Sequence, residues 1–277
     1  MTQRIDTLAD VAQDYDAIVF DQWGVLHNGT APYSRAIECL TGLANAGLPL
    51  AVLSNSGKRA GPNALRIADM GFAPSLFTQI MTSGEALWRD IHAGKLPQRR
   101  FFCIERSAGD ACAWAEGLPV EFTDLKNADA VLLMGLPDKA RLADWGTPLA
   151  AALDADLPIY CSNPDRQSPR ADGLVISPGA LAYAYVDMGG HVSFYGKPHP
   201  GIFDALASSL GVARILMVGD SLEHDIAGAQ SAGWDNVLVQ GGLYANDFAQ
   251  ADHDSVLANL VAAKACRPPT YSIEVLA

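Results

Sequence analysis

Short apolar runs alternate along the chain with longer stretches in which apolar residues return every three or four positions. AIVF (17–20), LPLAVL (48–53), RFFCIE (100–105), ADAVLLMG (128–135), LPIYCSN (157–163), ARILMVGD (213–220) and WDNVLVQGG (234–242) are the runs. Their length, their β-branched content and the turn residues that bound them predict buried strands. Between them, SRAIECLTGLANAG, KRAGPNALRIADMGF, SGEALWRDIHAG, GIFDALASSLG and SLEHDIAGAQSAG read as amphipathic helices. Strand and helix in alternation predict an α/β fold, a doubly wound parallel sheet of Rossmann-like form. The middle of the chain carries its own alternating set, so we expect two domains. A discontinuous core would span 1–83 and 183–277, and a smaller inserted α/β domain would span 84–182.

Composition narrows the function classes. With 277 residues, 49% hydrophobic and 18% charged, the chain is long enough for two folded domains and shows no bias toward disorder. A formal net charge of -12, with no basic run longer than Arg99-Arg100, argues against a nucleic-acid partner. Five cysteines without CxxC spacing indicate neither a disulfide framework nor a zinc cluster. The N-terminus is too polar for a signal peptide and no apolar run approaches membrane-span length, so a cytoplasmic protein without a membrane partner is expected. A homodimer is compatible with the sequence.

In doubly wound sheets ligands bind beyond the carboxyl ends of the strands, and four strand ends carry suggestive residues. Asp21 closes an apolar strand, where a carboxylate is costly unless bonded or near a cation. Ser54, Asn55 and Ser56 follow LAVL before a helix and could form an anion cradle, although the same letters also make an ordinary helix cap. Lys197 sits in the turn YGKPHP, and alone would read as a surface charge. In MVGDSLEHDIAGA, Asp220 ends a strand and Asp225 follows five residues later. Several carboxylates at neighbouring strand ends would repel unless a divalent cation lies among them, and Mg²⁺ suits hard oxygen ligands beside a phosphate.

Read in order, Asp21 with its GV, Ser54, Lys197 in GKP and GDSLEHD resemble the four motifs of the haloacid dehalogenase (HAD) superfamily. The insertion, with SNPD (162–165) and PGAL (178–181), resembles its class IIA branch, which includes NagD-like, 4-nitrophenylphosphatase-like and pyridoxal phosphatase-like proteins. The resemblance implies a Mg²⁺-dependent hydrolase, phosphatase-like, acting on a small phosphorylated metabolite through an aspartyl-phosphate. It implies Asp21 as nucleophile, and Mg²⁺ on Asp21, Asp220 and the main-chain carbonyl of Trp23. Ser54 and the Asn55 amide would hold the phosphoryl oxygens, Lys197 would neutralise charge, and Asp225 would hold Lys197. The inserted domain would serve as a cap, with Asn163 and Asp165 contacting polar groups of the substrate.

One position departs from the pattern. Phosphatases of the superfamily carry an Asp two residues after the nucleophile as general acid and base, and here that residue is Trp23, whose indole N–H only donates. Such proton transfer contributes about 10²- to 10⁴-fold in rate, so slow turnover of alkyl phosphates is expected unless another group substitutes. His27 in the same loop is the first candidate, followed by Glu223 and His224; an aryl or acyl leaving group would need no acid. The substitution leaves open a second reading, a protein that binds a phosphometabolite without hydrolysing it. Phosphonate or carbon–halogen hydrolysis fits less well, because dehalogenases lack the acid present here as Asp220.

Overall fold

The computed structural model describes residues 2–170, 173–264 and 266–277. In chain order its strands are β1 (Gln3–Arg4), β2 (Ala17–Phe20), β3 (Leu50–Ser54), β4 (Gln79–Thr82), β5 (Arg100–Ile104), β6 (Glu121–Phe122) and β7 (Ala130–Leu133). They continue with β8 (Ile159–Cys161), β9 (Gln167–Arg170), β10 (Gly173–Ile176), β11 (Val192–Phe194), β12 (Ile215–Gly219), β13 (Asp235–Val239) and β14 (Tyr271–Ile273). The chain divides into two compact units: residues 1–54, 61–81 and 197–277 form the first, and 55–60 and 82–196 the second.

The first unit is built on a sheet in the order β1-β14-β13-β12-β2-β3-β4. From β2 the chain builds outward through β3 and β4, then returns to β2's other side with β12, β13 and β14. The pairings β1 with β14, β14 with β13, β13 with β12, β12 with β2 and β2 with β3 are parallel. Parallel strands covered by helices are buried on both faces, which explains their near-continuous apolar character. Ile18, Phe20, Leu50, Val52, Leu216, Val218 and Val237 share one cluster with Leu40, Leu43 and Ile67 from the helices Ala36–Asn45 and Ala60–Ala68. Leu238, one residue out of phase, joins Leu222, Ile226 and Leu257 on the opposite face.

The second unit has a sheet in the order β11-β8-β7-β5-β6, parallel in each pairing, and an antiparallel β9–β10 hairpin. Val131 and Leu133 face a cluster with Ile104, Ile159 and Leu181, while Ala130 and Leu132 face Phe101, Leu87 and Trp114. Its boundaries differ from the expected 84–182. Residues 183–196 belong to this unit because β11 pairs in register with β8, and the loop 55–60 packs here too. Among the described residues no helix is long and apolar enough to cross a membrane.

Candidate active site

The site grows out of the sheet order. β2 and β12 are neighbours in parallel register, Phe20 opposite Val218, so the residues that follow them emerge side by side. The Asp21 amide donates to the Val218 carbonyl at 2.9 Å, and Asp220 comes one residue after β12. This is also where the strand order reverses, the position at which open α/β sheets offer a crevice.

Lys197 completes the constellation. Its Nζ donates to Asp21 Oδ1 and to Asp225 Oδ1, both at 2.6 Å, and the side chain is buried. Asp225 is fully engaged: Oδ1 takes the ammonium, and Oδ2 accepts the amides of Asp220 at 3.1 Å and Ser221 at 3.0 Å. It lies in a wide, π-type turn (Leu222–Ile226) that opens the helix after β12, and the turn is capped by Ser221, which accepts from the His224 amide. Gly219 makes room for this carboxylate, since a Cβ there would lie 2.1 Å from that of Asp225.

Asp220 is held from other directions. Its Oδ2 accepts the Leu243 amide at 2.8 Å, and a Cβ on Gly24 would lie 1.8 Å from the same oxygen. A Cβ on Gly242 would come within 2.4 Å of the Asp220 Cβ. Gly242 and Leu243 did not figure in the sequence reading. The Gly241-Gly242 pair, separated from β13 only by Gln240, was the available signal, because paired glycines near a strand end mark close backbone approach.

Burial pushes the Asp220 carboxyl well above the usual range, reinforced by the charges of Asp21 and Asp225. Asp21 is pushed up as well, first by burial, with Lys197 opposing and Asp225 adding to the shift. For Lys197 burial works against the charge, but the two carboxylates outweigh it and hold the ammonium above its ordinary value. Carboxylate oxygens of Asp21, Asp220 and Asp225 lie within 4.8 Å of one another. Three carboxylates against one ammonium leave two negative charges in a low-dielectric place, so the donor set fits a divalent cation with oxygen ligands. Asp225 is spent on Lys197 and two amides, which leaves Asp21 and Asp220 as the side chains suited to hold it.

The loop after Asp21 shows where the remaining predicted residues lie. Gln22 and Asn63, both buried, exchange two amide hydrogen bonds at 2.7 and 3.1 Å and pin the loop to the helix Ala60–Ala68. Trp23 is 39% exposed, its Nε1 side lying over Gly29, where an added Cβ would be 3.1 Å away. His27 is 1% exposed. Its Nδ1 accepts the Gly29 amide at 3.0 Å, and Nε2 has no hydrogen-bond partner among the described residues. Burial, with the Arg66 charge adding to it, pulls this imidazole down to about 4. It is a neutral group inside the loop, which is a structural position and not that of an acid delivering protons near neutrality.

Ser54 is buried at the end of β3. The following helix does not offer its N-terminus as the expected cradle, because it begins only at Ala60 and the Ala60 amide is taken by Glu85 at 3.1 Å. Ser56 instead accepts the Lys58 amide at 3.3 Å. Asn55 and Asp165 meet within the second unit, the Asn55 side-chain Nδ2 donating to Asp165 Oδ1 at 2.7 Å. Asn163 Oδ1 accepts the Asp165 amide at 2.9 Å and closes the SNPD turn. Glu223 pairs with Lys264 at 3.0 Å.

Comparison with known proteins matches this chain to a family model described as haloacid dehalogenase-like hydrolase over residues 18–117, and to a HAD-hydrolase-like model over residues 194–263. Chronophin from Mus musculus is 30% identical, the match covering 98% of this chain and 94% of that protein. A haloacid dehalogenase-like hydrolase from Brucella suis superposes with a TM-score of 0.82 at 29% identity, covering 99% of this chain and 100% of the other. A glycerol phosphate phosphatase from Mycobacterium tuberculosis, solved in complex with magnesium, superposes with a TM-score of 0.67 at 21% identity, covering 88% and 73%.

Proposed function

Because the chain belongs to the haloacid dehalogenase-like hydrolases, in their class IIA branch, we propose that it is a Mg²⁺-dependent phosphatase of a small phosphorylated metabolite, with Asp21 as nucleophile. The observation that carries the reading is the Lys197 ammonium, buried and 2.6 Å from both Asp21 and Asp225, with Asp220 beside them. A buried lysine between carboxylates at a strand-end crevice is costly to build for stability alone. Charge neutralisation with fixed geometry is what phosphoryl transfer asks of a protein.

In the first half-reaction an Asp21 oxygen attacks phosphorus and the bond to the leaving oxygen breaks. Lys197 keeps its proton and offsets the charge that nucleophile and phosphate share, and Asp225 keeps Lys197 in place. The Ser54 hydroxyl and the Asn55 backbone amide would hold phosphoryl oxygens. In the second half-reaction water attacks phosphorus, the bond to Asp21 breaks, and the carboxylate is restored. Mg²⁺, held by Asp21, Asp220 and the Trp23 carbonyl, would screen the repulsion between carboxylate and phosphate when bound. His27 is left out of the catalytic set because its ring is built into the loop interior.

A panel of phosphate esters assayed with Mg²⁺ tests the reading. Release of phosphate from at least one ester, abolished in Asp21→Asn, is the expected result. A panel in which nothing is turned over, or in which turnover survives Asp21→Asn, would overturn it.

A further inference from the structure

The loop that follows Asp21 is fastened at several points, and the fastenings converge on one peptide link. The Gln22 carbonyl accepts the amides of Leu26 at 2.8 Å and His27 at 3.1 Å, and the His27 carbonyl accepts the Gly24 amide at 3.1 Å. Trp23 and His27 are thereby bridged side by side, and His27 bridges also to Pro32. The Trp23–Gly24 link closes against Asp220. A Cβ on Gly24 would lie 1.8 Å from Asp220 Oδ2, and one on Gly242 would meet that oxygen at 2.5 Å and the Gly24 carbonyl at 2.6 Å. The main chain at Gly24 therefore has no slack, and the Trp23 carbonyl, joined to Gly24 through the peptide bond, is held in the neighbourhood of this carboxylate.

The far end of the loop hangs on the His27 ring. Gly29, at φ +100, lies against the Trp23 indole, where an added Cβ would be 3.1 Å from Nε1. Its carbonyl meets Arg66 Nη2 only at 3.4 Å, a long contact in an exposed place. Its amide is better fixed, donating to His27 Nδ1 at 3.0 Å. Burial, with the Arg66 charge adding to it, keeps the ring neutral. With Nδ1 accepting, the ring proton sits on Nε2, which is buried and has no hydrogen-bond partner among the described residues. Leaving a donor in that state costs about 1–3 kcal/mol. Gly29 is only half-buried, so its amide could turn to water instead. Stability alone does not ask for this imidazole; what the imidazole supplies is the acceptor at Nδ1.

We infer that His27 is a positioning residue for the cation site: by tying the Gly29 amide into the loop interior, it keeps the turn from Gln22 to His27 closed and the Trp23 carbonyl set beside Asp220. The ring touches neither cation nor substrate. The inference rests on the hydrolase reading above for the identity of the cation, Mg²⁺. Groups that orient metal ligands without touching the metal are worth about 10- to 100-fold in affinity.

Two substitutions separate the acceptor from the bulk of the ring. Asparagine can place Oδ1 where Nδ1 now stands, and leucine fills similar space without an acceptor. When Mg²⁺ is titrated calorimetrically into each metal-free protein, His27→Leu is expected to raise its Kd by at least ~10-fold, and His27→Asn to stay within a few-fold of the unmodified protein. At saturating Mg²⁺ the KM of a hydrolysed ester should be alike in all three. Should His27→Leu fail to fold, hydrogen exchange at the Gly29 amide of the unmodified protein carries the test. Coupling between two binding events is reciprocal, so saturating Mg²⁺ should slow that exchange by a similar factor, at least ~10-fold. An unchanged Kd in His27→Leu, a loss in His27→Asn as large as in His27→Leu, or a Gly29 exchange rate indifferent to Mg²⁺ would overturn the inference. Mg²⁺ binding with the expected sensitivity in a protein that hydrolyses no ester would sustain it and sink the hydrolase reading. A protein that binds no Mg²⁺ would sink both.

Discussion

At the residue scale the least replaceable group is Asp225. Its two oxygens accept three donors, the Lys197 ammonium and the amides of Asp220 and Ser221. Asparagine has the same shape but only one acceptor oxygen, so whichever way it faces, an NH₂ meets an N–H. Asp225→Asn is therefore expected to lose about 1–3 kcal/mol of stability despite being isosteric, the cost of leaving buried donors unsatisfied, and to lower kcat by releasing Lys197. Urea denaturation alongside the esterase panel measures both. Unchanged stability would mean that the turn Leu222–Ile226 can re-aim its amides toward water. Gly24 makes a related point: it sits at φ +86 with Asp220 Oδ2 where its Cβ would be. Much of this was legible in the sequence, since Asp21 and Asp220 directly follow strands, Lys197 and Asp225 lie in the turns that come after strands, and these are the residues the fold brings together. What was not legible were partners that need three-dimensional register, such as the Gln22–Asn63 amide pair or the Leu243 amide on Asp220.

At the element scale, the helix Ser83–His92 shows how a local motif organises its surroundings within the second unit. Thr82 is its cap, accepting the Glu85 amide at 2.9 Å and donating to the Lys58 carbonyl. Glu85, in the first turn where a negative charge suits the helix dipole, reaches Arg59 at 2.7 Å, Arg89 at 3.0 Å and the Ala60 amide. Arg59 in turn lies 3.6 Å over the ring of Trp88. Burial pushes the Glu85 carboxyl up, but these hydrogen bonds outweigh it and hold it below its ordinary value of 4.5. A carboxyl depressed on folding contributes stability that is present above about pH 4.5 and lost as pH falls through the folded value. Glu85→Gln should therefore cost about 1–3 kcal/mol at neutral pH, and the gap to the unmodified protein should narrow on acidification below that point. Thermal midpoints measured from pH 7 down to pH 3 would show it, and a gap that stays constant would mean that Glu85 is not held as an anion. Helices and buried strands of this kind were readable from periodicity. β1, β14 and the β9–β10 hairpin were not, because strands of two to four residues carry too little pattern to rise above loop sequence. The limit of the second unit was misjudged for the same reason, β11 being only three residues long.

At the scale of the whole molecule, two units with separate cores imply that a ligand of one unit stabilises that unit. The carboxylates of Asp21, Asp220 and Asp225 all belong to the first unit, where three negative charges face one ammonium. Without a cation this arrangement is a strain on the fold, since like charges in a low-dielectric place repel. Removing the charge of Asp220, which unlike Asp225 does not hold the ammonium, should therefore stabilise the metal-free protein, a trade of stability for activity common at functional sites. Asp220→Asn is the substitution of choice, because its side-chain oxygen can still accept the Leu243 amide. In the presence of a chelator, Asp220→Asn is expected to unfold at a higher temperature than the unmodified protein. Saturating Mg²⁺ should reverse or close that gap. At 100 times its Kd, a ligand of the folded state adds about 2.7 kcal/mol, which for a unit of this size corresponds to roughly 5–10 °C in midpoint. Scanning calorimetry of both proteins, with chelator and with Mg²⁺, distinguishes the cases. If Mg²⁺ raises both proteins equally, the cation binds somewhere other than Asp220. If it raises neither, the charge cluster is balanced by other means and the metal assignment falls.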